Sequence, residues 1–303
     1  MIICCGEALI DMLPCETAEG GKGFAPHSGG AVFNTAVALG RLGAPVGLLS
    51  GISRDLFGEI LVDALVASNV RTEALVRSDR PTTLAFVTLQ DGQARYAFYD
   101  ENTAGRMLAA EELPETAAQT YFFGGISLVA EPCGSAYEAM MAKVAPDHVT
   151  MLDPNIRPGF ITDERAYRAR ITRMIGLADI VKLSDEDLHW LSGPGDTGTL
   201  VQEMLALGPK LICITRGAKG ATGYSTRGDR VDVSAPRIKV ADTVGAGDTF
   251  NAGILAALGT RSKAELARIS PEDIETALSL GARAAGVTVS RVGANPPWKD
   301  DLV

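Results

Sequence analysis

Short apolar runs alternate along this chain with stretches in which apolar residues recur every third or fourth position. The uninterrupted run at residues 2–5 predicts a buried strand. After the glycine pair at 29–30, helical spacing is carried by Val32, Ala36, Leu39 and Leu42, and Gly43 is a suitable end for that helix. A strand at 46–50 and a helix at 56–65 follow, so the pattern is that of an α/β fold.

The second half of the chain continues this alternation. Apolar runs that predict buried parallel strands lie at 121–126, 149–153, 180–184 and 210–215. Helices are predicted at 133–144, 251–258 and 274–285, and a hairpin at 222–225 and 231–234. In a parallel sheet, ligands gather at the carboxyl ends of the strands. Polar residues that directly follow these runs are therefore candidates for a site.

Two segments break the rhythm. The glycine-rich stretch at 19–24 predicts a loop between short strands. The β-rich runs at 82–89 and 94–99 flank an Asp-Gly turn and predict a hairpin that lies outside the parallel sheet. We find no linker, repeat or low-complexity segment, so a single domain over residues 1–303 is expected.

Charge and composition narrow the class of partner. The chain has 303 residues, of which 46% are hydrophobic, and a net charge of −9 without a basic run. Nucleic acid and anionic membrane surfaces are therefore poor partners, and a small-molecule substrate fits better. The apolar run at the N-terminus is too short for a signal peptide or a membrane span, which favours a cytoplasmic location.

The cysteines and histidines predict neither a disulfide framework nor a zinc site. Five cysteines are an odd number without a C-x-x-C pair, and the three histidines lack ligand spacing. Free thiols in a reducing compartment are the expectation.

The stretch from Asp242 to Phe250 carries the strongest chemical signal. Its glycines allow a tight turn, and the helix behind it begins with unpaired N–H groups and a positive dipole end, which together favour an anion. The carboxylate of Asp248 stands beside this site. We interpret it as a general base next to a phosphoryl group, with a helix N-cap as the alternative.

Two strings resemble one family. Asp242-Thr243-Val244-Gly245-Ala246-Gly247-Asp248 resembles the C-terminal signature D-T-x-G-A-G-D of the ribokinase-like (phosphofructokinase-B type) carbohydrate kinases. About 200 residues upstream, the segment from Gly29 to Ala36 resembles their G-G-x-x-x-N-x-A signature. The resemblance implies a three-layer α/β/α sandwich with a mostly parallel central sheet and a small β-sheet lid. The lid strands would lie at about 11–28 and 82–100, a plain edge hairpin being the alternative for the second segment.

The resemblance also implies an activity, the transfer of the γ-phosphoryl group of ATP to a sugar hydroxyl. Asp248 would take the hydroxyl proton, and the N–H groups of Gly245, Ala246 and Gly247 would stabilise the transferring charge. Sugar contacts are expected from Asp11, Gly29, Gly30 and Asn34, although capping would also explain the asparagine. Members of the family often form dimers through the lid, so a homodimer is expected.

Arg157 belongs to a D-P-N-x-R-P string that resembles fructokinases of this family. It follows the strand at 149–153 and is a candidate contact for phosphate or substrate. The alternative is a structural ion pair with Asp153.

Nucleotide and metal positions follow from the same resemblance. Thr215, Gly217 and Gly220 match a T-x-G-x-x-G nucleotide loop, and Gly247 would also contact the nucleotide. The family's N-x-x-E motif, which helps to hold hydrated Mg²⁺, is replaced by Ser184 and Asp187. Asp185 or Glu186 could share that role, and capping by Ser184 fits equally well. Backbone oxygens expected around a potassium ion come from Asp242, Val244, Thr288, Arg291 and Gly293.

Fructose is the sugar that the resemblance favours. The lid string from Tyr99 to Gly105 departs, however, from the Arg-containing Y-R-x-P-S-A-D of fructokinases. A kinase of 2-keto-3-deoxygluconate is the nearest alternative, with Arg95 or Arg106 facing the acid, and a ribokinase or nucleoside kinase comes next. A non-catalytic sugar-binding protein is disfavoured by Asp248, because a binder needs no base.

Overall fold

The computed structural model describes residues 1–90 and 93–302; for residues 88–90 and 93–96 it describes the backbone only. The turn predicted at Asp91-Gly92 and the side chain of Arg95 lie outside what is described. Numbered in chain order, the strands are β1 Ile2–Cys5, β2 Leu9–Glu16, β3 Lys22–Gly29, β4 Val46–Leu49, β5 Gly51–Ser53, β6 Val70–Arg71, β7 Val76–Ser78, β8 Leu84–Gln90, β9 Gln93–Tyr99, β10 Thr120–Gly124, β11 Val149–Asp153, β12 Ile180–Ser184, β13 Leu211–Thr215, β14 Ala221–Ser225 and β15 Arg230–Val233.

The helices are numbered in the same way. They are α1 Ala31–Arg41, α2 Leu56–Ala67, α3 Cys133–Val144, α4 Glu164–Leu177, α5 Asp185–Ser192, α6 Thr197–Leu205, α7 Ala246–Leu258, α8 Lys263–Leu266 and α9 Pro271–Val289. The helix predicted at 133–144 is confirmed to the residue. The last long helix is longer than the predicted 274–285, because Ser270 caps its start and Pro271 occupies its first turn.

The main sheet has nine strands in the order β15-β14-β13-β12-β11-β10-β1-β4-β6. From β13 to β6 all neighbours are parallel, and β14 and β15 add an antiparallel hairpin at one edge. The parallel strands therefore deliver their carboxyl ends to one edge of the sheet.

Helices cover both faces of this sheet. One apolar core joins the sheet to α1, α2, α7 and α9, and the other joins it to α3, α4 and α6. Alternate residues of β1 serve the two cores: Ile2 and Cys4 belong to the first, Ile3 and Cys5 to the second. The predicted three-layer α/β/α architecture is confirmed. Within the described part of the chain, no helix is both long enough and apolar enough to cross a membrane.

A separate small sheet has the strand order β3-β2-β8-β9. The prediction of a loop at 19–24 is wrong in its second half, because β3 begins at Lys22 and pairs with β2 from Glu16 to Leu9. β3 consists mainly of exposed and half-buried residues and contains Gly, Pro and His. This composition does not predict a strand from sequence, and β3 is stabilised by its pairing with β2.

Candidate active site

The carboxyl ends of the parallel strands, the N-termini of α1 and α7 and one face of the small sheet surround a cavity of about 470 Å³. Nine of the residues predicted from sequence line it: Asp11, Gly30, Arg157, Ser184, Thr215, Val244, Gly245, Gly247 and Asp248. Distant stretches of sequence therefore meet at one site.

The turn before α7 has the geometry of an anion site. Gly245 caps the helix with φ +76°, a left-handed conformation that glycine adopts without strain. A Cβ at this position would come within 2.9 Å of the Ala294 side chain, so glycine is also needed for space. The N–H of Ala246 already donates to the carbonyl oxygen of Thr243 at 3.3 Å. Of the three predicted donors, Gly245 and Gly247 line the cavity, whereas Ala246 does not. Gly245 and Gly247 are therefore the better candidates for donating to a bound anion.

Asp248 lies in the first turn of α7 and is 7% exposed. Its Oδ2 accepts a hydrogen bond from Asn34 Nδ2 at 2.9 Å, and its Oδ1 accepts one from Asn155 Nδ2 at 3.4 Å. Asn34 does not cap α1, since the N-cap is Gly30. The two signature motifs thus meet through a direct contact between side chains.

Burial raises the pKa of Asp248 to about 7. The hydrogen bond from Asn34 and the charge of Lys182 act in the opposite direction, whereas the charges of Asp153 and Glu7 raise the pKa further. A carboxyl group with this pKa exchanges a proton readily near neutral pH. The environment is therefore suited to general-base chemistry.

Asp11 faces the cavity from β2. Its carboxylate explains Gly29, because a Cβ there would lie 2.2 Å from Asp11 Oδ2. Gly30 has φ +107°, and a Cβ on it would approach the carbonyl oxygen of Glu7 to 3.0 Å. Partial burial raises the pKa of Asp11 to about 6. Both glycines are thus required by the shape of this wall.

A buried polar cluster forms the floor of the cavity. Asp153 Oδ2 accepts hydrogen bonds from Lys182 Nζ at 2.9 Å and from Asn251 Nδ2 at 2.7 Å. The alternative of an Arg157–Asp153 ion pair is wrong, because Lys182 occupies that position and the exposed Arg157 donates to the carbonyl oxygen of Ile156. Arg157 therefore remains available to a ligand in the cavity.

Comparison with known proteins decides the family. Residues 1–301 match the profile of the pfkB family carbohydrate kinases. The chain belongs to the pfkB family of carbohydrate kinases. It is 55% identical to a fructokinase of Rhizobium leguminosarum bv. trifolii over 260 residues, which cover 85% of this chain and 79% of that protein. It is 33% identical to probable fructokinase-7 of Arabidopsis thaliana, with 98% and 89% of the two chains covered.

Solved structures agree with this assignment. The fructokinase of Xylella fastidiosa with bound ATP superposes with a TM-score of 0.91 at 29% identity, covering 99% of this chain and 97% of that one. A double mutant of the Vibrio cholerae fructokinase, in a form with fructose, ADP and potassium ion bound, has a TM-score of 0.85 at 25% identity, with 97% and 93% covered. The chain therefore has the ribokinase-like fold of an ATP-dependent sugar kinase.

The residues predicted for the nucleotide of a pfkB kinase are only partly brought together. Thr215 ends β13 and lines the cavity, but Gly217 and Gly220 are not part of its lining. Glycine is required at position 220 for packing, because a Cβ there would lie 2.0 Å from the carbonyl oxygen of Val233. Gly217 has φ +51° and open space around it.

Ser184 and Asp187 form a capping box at the start of α5. Ser184 Oγ accepts from the N–H of Asp187 at 3.0 Å, and Asp187 Oδ2 accepts from the N–H of Ser184 at 3.2 Å. The other oxygen, Oδ1, accepts from the N–H of Ile156 at 3.1 Å. Burial, followed by the charge of Asp153, raises the pKa of Asp187. Its position thus has a structural reason of its own.

The two segments predicted around a potassium ion lie side by side. Asp242 Oδ2 accepts from the N–H of Gly293 at 2.9 Å, and its Oδ1 accepts from the N–H of Val244 at 3.1 Å. Thr288 is buried and donates from Oγ1 to Thr249 at 2.9 Å. The side chain of Arg291 instead pairs with Asp301 at 3.0 Å, so only its backbone is available to an ion.

Sequence reasoning missed Lys182 and Asn155. Both line the cavity next to Asp248, but Lys182 is a single charge inside an apolar strand. That charge is the signal that could have revealed it, since lysine is rarely buried without a partner or a function. Asn155 adopts φ +45°, which is uncommon for a residue other than glycine.

Proposed function

We propose that this kinase transfers the γ-phosphoryl group of ATP to the 6-hydroxyl group of fructose. The observation that carries the proposal is the buried Asp248 carboxylate, oriented by Asn34 across 2.9 Å beside the N-terminus of α7. The names of the Rhizobium and Xylella relatives support fructose as the sugar.

Asp248 acts as the general base. It removes the proton of the sugar hydroxyl while that oxygen forms a bond to the γ-phosphorus, and the bond from this phosphorus to the bridging oxygen of ADP breaks. The hydrogen bonds from Asn34 and Asn155 fix the carboxylate so that one lone pair faces the hydroxyl.

Backbone and lysine stabilise the charge that spreads over the transferring group. Gly245 and Gly247 line the cavity at the positive end of the α7 dipole, where their N–H groups would donate to the phosphoryl oxygens. Lys182 Nζ uses one hydrogen on Asp153, so its other two hydrogens are free for a phosphate oxygen. Its pKa is raised, because burial, which alone would lower the pKa, is outweighed by the charge and hydrogen bond of Asp153 together with the charges of Asp187 and Asp248. Arg157 adds a second cation at the mouth.

Mg²⁺ and K⁺ complete the proposed site. Each carboxylate oxygen of Asp187 accepts a hydrogen bond from a backbone N–H. The remaining lone pairs are better suited to accept hydrogen bonds from the water ligands of Mg²⁺ than to coordinate the ion directly. Bound Mg²⁺ would neutralise charge on the β- and γ-phosphates. Carbonyl oxygens around Asp242, Val244, Thr288, Arg291 and Gly293 would hold K⁺. Thr215, Gly217, Gly220 and Ser184 would border the nucleotide.

The small sheet would act as the lid of a single kinase domain covering residues 1–303. It contributes Asp11 and Phe98 to the cavity, and Phe98 stacks edge-on against Phe160 with ring centroids 4.3 Å apart. Closing an aromatic wall over the sugar excludes water, which otherwise competes for the phosphoryl group.

A neutral sugar fits better than a sugar acid. Arg106 lies 3.8 Å from the carboxylate of Asp100 and lines a separate small cavity of about 20 Å³, so its charge is neutralised away from the main site. Of the two lid cations expected for a 2-keto-3-deoxygluconate kinase, Arg106 is thus already paired, and the side chain of Arg95 lies outside the described residues.

A coupled ADP-release assay over ketoses, aldoses, sugar acids and nucleosides tests the proposal. We expect fructose to give the highest kcat/KM and ³¹P NMR to identify the 6-phosphate. Absence of turnover with every sugar would refute kinase activity in this chain. A preference for sugar acids or nucleosides would refute fructose alone.

Dimerisation through the small sheet is supported by aromatic rings on its other face. Phe24 contacts Phe86, which contacts Tyr99, at centroid distances of 5.0 and 5.5 Å, and Phe24 and Tyr99 are 42% and 63% exposed. Light scattering should report a dimer that Phe24→Glu converts to a monomer, whereas Leu207→Glu, distant from this sheet, should not. A monomeric parent protein would rule the dimer out.

The five free cysteines, four of them buried, suit the reducing cytoplasm.

A further inference from the structure

Three glycine-containing turns form the wall of the cavity on the side of Asp11: the turn after β1, the start of α1 and the turn after β10. The side chain of Glu7 lies where they meet and is buried, the residue being 8% exposed. Its Oε1 accepts the N–H of Ala31 at 2.9 Å, and its Oε2 accepts the N–H of Ser127 at 3.3 Å. One carboxylate thus connects all three turns.

The glycines of these turns are fitted around Glu7. A Cβ on Gly125 would lie 2.1 Å from Glu7 Oε1, and Gly125 has φ +72°. The carbonyl oxygen of Glu7 accepts the N–H of Phe33 at 3.2 Å and would be 3.0 Å from a Cβ on Gly30. The backbone on both sides therefore follows the position of this residue.

Both oxygens of the Glu7 carboxylate accept hydrogen bonds from backbone N–H groups of the protein. A carboxylate has about four acceptor positions. Hydrogen bonds from Ser127 and Ala31 lower the pKa of Glu7, against the larger effect of burial, which raises it. Two of these acceptor positions are filled by backbone N–H groups, so the carboxylate is anchored to the backbone of two turns and acts on the site through them.

We infer that Glu7 is a positioning residue that fixes the backbone beside the sugar position and thereby sets the affinity for the sugar but not for ATP. The inference rests on the proposed sugar kinase function. The nucleotide position, at Thr215 and Gly247, is formed by β13 and α7, which Glu7 does not contact through any of these hydrogen bonds.

Glu7→Gln tests the inference. The amide replaces one acceptor by an NH₂ group that meets a backbone N–H, so one of the two turns is released. We expect the KM for fructose to rise about tenfold while the KM for ATP stays within about twofold. Asp179→Asn is the matched control: Asp179 is also buried and accepts the N–H of Thr150 at 3.0 Å, but it lies before β12, at the opposite end of the sheet. This control should lower the melting temperature without changing either KM.

Ala31→Pro provides a second variant in case Glu7→Gln does not fold. Ala31 is the first helical residue after the N-cap, where proline is tolerated, and the substitution removes the N–H that Glu7 accepts. It should raise the KM for the sugar selectively as well. Equal changes in both KM values, or no change in the sugar KM of a folded variant, would overturn the inference. A parent protein without sugar turnover would instead refute the proposed function.

Discussion

The side chains of Asn34 and Asp248, 214 positions apart in the sequence, are joined by a hydrogen bond of 2.9 Å. The bond ties the N-terminal part of α1 to that of α7, and Thr35 Oγ1 reinforces it by donating to the carbonyl oxygen of Asp248 at 3.2 Å. The proposed base is therefore held by the same helix that borders the sugar position. Five predictions rest on this arrangement and its surroundings.

Replacing the base should abolish most of the turnover. Asp248→Asn keeps the shape and loses the proton acceptor, so kcat should fall about 10²- to 10⁴-fold while the KM for ATP changes little. Steady-state kinetics of the purified variant measures both. Asp232→Asn, on the exposed edge strand β15, is the control and should keep normal turnover. Normal kcat in Asp248→Asn would refute the role of the base.

The same substitution should change how stability depends on pH. The folded-state pKa of Asp248, about 7, lies above its usual value of 3.8, so the folded protein binds this proton more tightly than the unfolded chain. The stabilisation is complete below pH 4 and is lost as pH rises towards 7, on the order of a few kcal/mol. Melting curves at pH 5 and pH 8 should therefore show Asp248→Asn gaining stability relative to the parent protein at the higher pH. An equal difference at both pH values would contradict the raised pKa.

The pH profile of kcat/KM should have an acid limb near pH 7. Activity should fall tenfold per pH unit below that value, because the base must be ionised. Asn34→Ala removes a hydrogen bond that lowers the pKa of Asp248 and should move the limb to higher pH. Asp11→Asn removes another cavity carboxyl with a raised pKa, about 6, and should leave the limb near 7. If the acid limb disappears in Asp11→Asn, the limb reports the ionisation of Asp11 and not that of Asp248.

Lys182→Met should impair both stability and transfer. It leaves the Asp153 carboxylate buried without its cation, at a cost of about 3–5 kcal/mol, and removes a donor to the phosphoryl group, lowering kcat about 10²- to 10³-fold. Asp153→Asn combined with Lys182→Met should restore stability but not kcat.

Lys263→Met is the matched control for this lysine. Lys263 Nζ pairs with Asp179 at 2.5 Å, before the start of β12 and away from the cavity. Loss of that pair should lower the melting temperature and leave kcat unchanged. If the stable double variant recovers full turnover, the lysine has no part in phosphoryl transfer.

Potassium dependence should require Asp242. In sodium or tetramethylammonium buffers kcat should fall several-fold, and Asp242→Ala should abolish the difference between the cations, because it releases the N–H groups of both Val244 and Gly293. Titration of potassium chloride into the assay measures this. An activation by potassium that survives intact in Asp242→Ala would place the ion elsewhere.

Local sequence patterns were enough to predict most helices and strands and the chemistry of the signature motifs. Apolar runs and helical spacing report burial and local hydrogen bonding, which is why α3 and β11 were predicted with their exact bounds. The Gly-Ala-Gly turn and Asp248 could be interpreted because they are neighbours in the chain, so their geometry depends on local backbone conformation.

The tertiary structure alone decided which distant side chains meet. Strand order brings the ends of β1, β11 and β12 together, and that order is set by pairing energies summed over the whole sheet, not by any short segment. The strand order pairs Asp153 with Lys182 and not with Arg157. It also places Asp187 in the cap of α5 and Glu7 between three turns. A buried contact between single residues leaves no periodic pattern in the sequence, so only the fold can reveal it.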